Sequence, residues 1–372
     1  MLSRQPLFLV ALVLLAACRG RAERARSVAQ LHLADTALVT IPDAVDGQYA
    51  MATVTGATRL GDGGFAVWAG PELFTFDSTG HFLRHYGGRG TGPGEFSLIF
   101  GAAECAPGML DLWDGNQRRL TTLNLAEESS RITNVREVPQ RSLFAGCAGS
   151  RPVIAASNFD YASFSVLQDT ILVLGIDPSA GSVDTLARMR GVVHVGPLDR
   201  FSPFTAAAAR GTAIVAGDNG TGHLVRWYAS GQDTIVTYGP RLPATAHLAD
   251  SVVDWWALHS GPKDSPQSPE IRRMIEEAWG RLPAPDSLPL FSKVLLDDRG
   301  GIWLSDYVGF PTSEFVRPTR WTSIDGGGAP TATLVLPKGF VLSEITGRVA
   351  LGVLEREDGS RALEAREVVQ GE

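Results

Sequence analysis

The sequence predicts an all-β repeat fold, and three observations predict it. Short apolar runs of strand length recur along most of the chain, Gly-containing turns separate them, and strong helix patterning is confined to one segment. Of 372 residues, 41 are Gly and 22 are Pro, which suits many tight turns. At 44% apolar and 20% charged residues, the chain can bury a large core and is not disordered by composition. Its net charge of −7, with no basic stripe, argues against a nucleic-acid partner, because phosphate affinity comes from clustered Lys and Arg.

The first element is an export signal. Met1–Pro6 carries Arg4, and Leu7–Ala17 is an unbroken apolar stretch of eleven residues. That is too short to span a bilayer and right for a signal-peptide core. Leu15-Ala16-Ala17-Cys18 places small residues before a cysteine and resembles the lipobox of bacterial lipoproteins. The resemblance implies cleavage after Ala17 and lipidation of Cys18, so residues 1–17 are the signal and 18–29 an Arg/Ala-rich tether at the lipid headgroups. The expected location is the bacterial envelope, periplasmic or on the outer membrane, with the membrane as a partner through the anchor.

Strands follow in a loose rhythm. A turn at Gly61–Gly64 leads into Phe65-Ala66-Val67-Trp68 and Leu73–Asp77, a second turn at Ser78-Thr79-Gly80 leads to His81–Tyr86, and then comes the Gly-rich stretch Gly87–Phe96. Met109–Asp114, Arg119–Leu123 and Ile132–Val138 repeat the pattern, as do Val153–Ala156 with Thr170–Ile176 and Val183–Met189. Ala213–Gly217, Leu224–Tyr228 and Asp233–Tyr238 form a further set. Val294–Asp298, Ile302–Asp306, Trp321–Ile324 and Thr333–Leu336 form another, and Arg348–Leu354 with Ala362–Val369 close the chain. Equivalent strands recur every ~40 to 60 residues, near the spacing of propeller blades. That spacing gives five or six blades over residues 30–372, and the expected architecture is a six-bladed β-propeller if Leu31–Ile41 supplies a strand to the last blade. Ring closure by that strand would remove the open edges of a linear array.

One segment breaks the rhythm, within a Pro-rich insertion over about residues 245–290. Ser268-Pro269-Glu270 reads as a helix start, Ile271, Met274, Ile275, Ala278 and Trp279 lie on one face, and Gly280 reads as the stop. Outside the lipobox, the remaining cysteines are Cys105 and Cys147. In an oxidising compartment the pair is expected to be bridged, with two buried thiols as the alternative.

The run from Leu60 to Phe96 resembles the first blade of NHL-like six-bladed propeller proteins, through Phe74-Thr75-Phe76-Asp77-Ser78-Thr79-Gly80-His81-Phe82 and Gly88-Arg89-Gly90-Thr91-Gly92-Pro93-Gly94-Glu95-Phe96. Asp114-Gly115-Asn116-Gln117-Arg118-Arg119-Leu120 is similar to the turn of that family's second blade, with one arginine shifted or added. The match covers some 60 residues closely. Many exported members of the family are lipoproteins; others bind proteins or RNA, and a few are lyases, so the resemblance implies the fold far more than a function.

Motifs that would carry chemistry are weak. Gly87–Gly94 has no P-loop or dinucleotide register and opens no helix. His81 and His85, on a strand, would stand about 13 Å apart, too far for one metal ion. Ser260-Gly261-Pro262-Lys263 has the spacing of a Ser–Lys pair, but Gly-Pro prevents the helix which that pair needs. The candidate ligand-binding residues are Arg118, Asn219, His223 and Arg226 at or near blade turns, with Trp255 and Trp256 as adjacent loop aromatics that anchor a partner or, as the alternative, are buried and seal the insertion. The favoured expectation is a monomeric binding or scaffold module for a protein, peptide or glycan, with no cofactor. The alternative is an exported hydrolase or lyase with Ca²⁺ or Zn²⁺ in a central channel.

Overall fold

The computed structural model describes residues 27–45, 49–50, 54–157, 165–195, 198–199, 204–228, 231–239, 269–282, 287–307 and 318–371. The signal peptide, Cys18, Trp255 and Trp256 lie outside the described residues.

The strand Phe65–Ala69 shows why the chain folds as it does. All five residues are buried, and successive side chains leave by opposite faces: Phe65, Val67 and Ala69 pack with Ile41, Leu351 and Leu363, whereas Ala66 and Trp68 pack with Ile99, Leu110 and Leu112. A strand covered on both faces reads as a continuous apolar run instead of an alternating one. The neighbours on its two faces come from opposite directions along the chain, which is what a stack of upright sheets requires.

The strands assemble into four-stranded antiparallel units. Gly56–Arg59, Phe65–Ala69, Glu72–Phe76 and Phe82–Gly87 make the first; Gly101–Ala106, Met109–Asp114, Arg119–Asn124 and Ser129–Asn134 the second. Arg141–Ala148, Arg151–Ser157, Leu167–Asp177 and Ser182–Val195 follow, then Thr205–Arg210, Ala213–Asp218, His223–Tyr228 and Gly231–Thr237. Val294–Leu296, Ile302–Ser305, Arg320–Ile324 and Pro330–Val335 come next, and Phe340–Thr346, Val349–Glu355 and Arg361–Gln370 end the chain. The first strand of each unit touches the first strand of the next, and Phe340–Thr346 returns to touch Gly56–Arg59. The result is an all-β, propeller-like ring.

Closure is made by the N-terminal strand. Ala29–Pro42 lies antiparallel to Arg361–Gln370, running from Leu31 opposite Gln370 to Pro42 opposite Ala362, and supplies the fourth strand that the last unit lacks. It begins one residue inside the stretch read as tether. Leu33 and Ile41 are its buried anchors, facing the cores on either side of this unit.

The first strands are the least legible elements in the sequence. Gly101–Ala106 and Thr205–Arg210 consist mainly of Ala, Gly and short polar residues. They line the axis, where neighbouring first strands approach closely. Gly146 shows how tight this is: it sits at φ 116°, paired with Ala209 of the next unit, and any Cβ there would collide with the Ala209 carbonyl.

Two expectations are corrected. The helix spans Pro269–Arg281 and runs through Gly280, with Leu282 N donating to the Trp279 carbonyl at 3.1 Å just beyond it. Gly280 has no positive φ, so it does not act as a left-handed stop. Of the residues read on one face, Ala278 and Trp279 are buried and Met274 is 57% exposed. The strand expected over Ile132–Val138 ends at Asn134; Val135 and Val138 are buried in the following turn, with Val138 N bonded to the Val135 carbonyl.

Candidate functional site

The first strands enclose a cavity of about 1530 Å³ on the ring axis. Its wall is largely small or apolar, including Ala103, Trp68, Phe144 and Leu295, and its charged lining is Arg59, Asp62, Glu104, Arg210, Lys293 and Glu344. Those residues come from units far apart in sequence, and only the ring brings them together.

Most of the charge is internally committed. Glu344 accepts from Thr58 Oγ1 at 2.9 Å, from the Arg59 amide at 3.1 Å and from Arg210 Nη2 at 2.6 Å. Arg210 also donates to the Ile345 carbonyl at 2.9 Å and to Thr346 Oγ1 at 2.6 Å. This brace crosses the ring, because Arg210, Glu344 and Thr58 belong to three different units. With Glu344 11% and Arg210 26% exposed, the pair is partly withdrawn from water, and its several hydrogen bonds offset the desolvation of the two charges. Glu104 is held by the amides of Gly61 and Gly108, which ties the first unit to the second.

Lys293 differs. It stands one residue before Val294–Leu296, on the same face of the pleat as Leu295, and both line the cavity. Its backbone pairs with Ser305, but no group among the described residues accepts from its ammonium. Burial lowers its pKa from the ordinary lysine value, since an apolar wall penalises the charged form.

The disulfide is also part of this wall. Cys105 and Cys147 are bonded with Cα atoms 5.3 Å apart, joining the first strands of adjacent units, and both residues line the cavity. The expected bridge is therefore present.

The residues of the Gly-rich stretch and of the Asp114–Leu120 turn serve a junction between units. Asp114 accepts from the Ser97 amide at 2.6 Å and from the Gln117 amide at 3.0 Å. The Arg119 guanidinium donates to the carbonyls of Thr91, Gly92 and Glu95 and lies 5.6 Å from the centroid of the Phe96 ring. The Gly-rich stretch is thus a clamped connection from one unit to the next. Gly87 in it has φ 95°, and a Cβ would stand 2.5 Å from the Pro71 carbonyl. The added arginine, Arg118, occupies the turn at φ 50° and donates to the Arg136 carbonyl at 2.9 Å.

None of Arg118, Asn219, His223 and Arg226 lines the axial cavity, so the structure does not gather them there. Asn219 is fully buried; it accepts from the Phe204 amide at 2.8 Å and donates to the Phe291 carbonyl at 2.7 Å, locking one unit to the next. His223 is exposed on a strand end, and Arg226 is half-buried over the Gly300 turn. Sequence reasoning missed Lys293, Glu344 and Arg210. The available signal was a lone charge beside, within or at the end of a short strand, which is common and points nowhere without the ring. Among the described residues, no three His, Cys, Asp or Glu side chains converge as metal ligands would. No helix there is long and apolar enough to cross a membrane.

No protein-family model and no curated protein matches the sequence. Solved structures with a similar course of the chain include a member of the DUF4221 family from Bacteroides vulgatus, at 10% identity and TM-score 0.49, covering 92% of this chain and 99% of that one. A protein named as exported, from Bacteroides fragilis, gives 10% identity and TM-score 0.47 over 92% and 99% of the two chains. A calcium-binding protein, regucalcin, from Agrobacterium tumefaciens gives 11% identity and TM-score 0.42 over 92% and 96%. Likeness at this level assigns no activity, ligand or partner to the chain.

Proposed function

We propose that the chain is an exported, lipid-anchored, six-bladed propeller of the NHL-like kind that works by binding, with the axial cavity as its ligand site. The observation that carries this reading is the cavity of about 1530 Å³ whose acidic side chains Glu104 and Glu344 are already held by internal donors. Carboxylates fixed in that way shape a wall and are poorly placed to shuttle protons. The signal-like stretch Leu7–Ala17 with Cys18 supports export and anchoring, and a bridged Cys105–Cys147 pair suits an oxidising compartment. The closed succession of first strands, completed by Ala29–Pro42, supports six blades. A tethered protein, peptide or glycan receptor fits these features together.

The test uses the full chain expressed in a bacterial envelope. The wild type is expected in the membrane fraction with a labelled palmitoyl group, and Cys18→Ala is expected to lose both. A photo-crosslinking residue at Ala126, exposed at the cavity rim, is expected to capture a protein, peptide or glycan in intact cells. The same residue at Leu83, on the outermost strand of the first unit, is expected to capture nothing at that yield. Equal capture at both positions, or a stoichiometric metal with metal-dependent hydrolysis, would overturn the binding reading.

A further inference from the structure

We propose that Lys293 anchors, inside the axial cavity, the anionic head of a small organic acid whose apolar body lies against the surrounding wall. This rests on reading the cavity as the ligand site and names the chemistry that the site selects. Three observations carry it. Lys293 and Leu295 line the same cavity, so a cation and an apolar surface are offered side by side. The cavity's carboxylates do not serve that cation: Glu344 is engaged by Arg210, Thr58 and the Arg59 amide, Glu104 by the amides of Gly61 and Gly108, and Asp62 by the Gly64 amide. Among the described residues nothing else accepts from the Lys293 ammonium.

Lys293 is half-buried with its ammonium in contact with solvent, and partial desolvation without a counter-charge lowers its pKa. An entering oxyanion supplies the missing partner in a low-dielectric setting, where an ion pair with hydrogen bonds is stronger than at the surface. The wall also offers Trp68, Phe144, Leu295 and several alanines as an apolar surface, with Arg59 as a second cation at its edge. An acid with one charged end and a hydrocarbon or aromatic body fits both halves of the site.

The test is isothermal titration of the full chain with phenylacetate, 2-phenylethanol and phenethylamine, which share a body and differ in the head. Phenylacetate is expected to bind once per chain, at least tenfold more tightly than the alcohol, and the amine not at all. Lys293→Met is expected to erase the difference between acid and alcohol, and Lys293→Arg to keep it. Equal affinity for acid and alcohol, no binding of phenylacetate, or a preference that survives Lys293→Met would each overturn the proposal. If Lys293→Met loses the wild-type melting transition, the wild type answers by a second route. Acetic anhydride labelling of the Lys293 amine, read by peptide mass spectrometry, is expected to slow with phenylacetate and not with 2-phenylethanol; equal slowing overturns the proposal. Failure of crosslinking at Ala126 would strike the receptor role and leave the titration intact, so the two failures are distinguishable.

Discussion

Removing the Cys105–Cys147 bond gives a magnitude that can be worked from the structure. The two cysteines are 42 residues apart, and the loop between them contains nearly all of the second four-stranded unit. On the chain-entropy account, a crosslink closing a loop of this length removes roughly 13 cal/mol/K from the unfolded ensemble, or about 4 kcal/mol at 25 °C. At a typical unfolding entropy per residue, a propeller of this size would melt about 5 °C lower without the bond. Cys105→Ala with Cys147→Ala is the perturbation, and urea unfolding followed by tryptophan fluorescence is the assay. The two residues are 8% and 7% exposed, so truncation also removes some buried contact. Wild type unfolded under full reduction separates the two effects, because it keeps both sulfurs and loses only the tether. A drop of about 4 kcal/mol in the reduced wild type, with slightly more in the double variant, is expected. A loss below about 1 kcal/mol in both would refute the reasoning, as would alkylation of both thiols in unreduced protein.

Two further outcomes follow from buried charge. Arg119→Met removes the donor that ties the carbonyls of Thr91, Gly92 and Glu95, and should cost about 2–3 kcal/mol. Limited proteolysis should then cut within residues 88–95 well before the wild type is cut, and unchanged cleavage would count against the clamp. Asp111 is 2% exposed, and burial raises its pKa from 3.8 to about 6 despite the hydrogen bond from Thr122 and the nearby charge of Arg131. A folded value above the unfolded one means that its contribution is fully present below about pH 4 and is lost as pH rises through 6. Asp111→Asn should therefore stabilise the protein at pH 7.5, by at most about 3 kcal/mol, and flatten the fall in melting temperature between about pH 4 and 6. A lower melting temperature for Asp111→Asn at pH 7.5 would show that the Thr122 bond outweighs burial.

The strands at the middle of each unit were legible in the sequence because they are buried on both faces. Phe65–Ala69, Met109–Asp114 and Ile302–Ser305 are dense in large apolar residues, and their turns carry Gly at positions where the backbone needs it. The clamp at Asp114 and Arg119 was visible as a resemblance, though its physical task, holding one unit's exit against the next, needed the coordinates. The first strands were not legible. Thr205–Arg210 and Gly101–Ala106 meet neighbouring backbones and a cavity, and small residues in that setting show no strand-like alternation.

The sequence by itself determined the class of fold, the expected bridge between Cys105 and Cys147, the strand that completes the ring and the helix in the insertion. Each depends on neighbouring residues, on a short period, or on a count of cysteines. The site was decided by tertiary structure alone. Arg210 finds Glu344 and Thr58 across the ring, and Lys293 is left facing the cavity with no acceptor among the described residues. The polar candidates at the turns were instead separated, with Asn219 bonded on both ends of its amide. A ring places residues by angle around an axis, and that angle is the sum of all the packing between one unit and the next, which no local stretch of sequence contains.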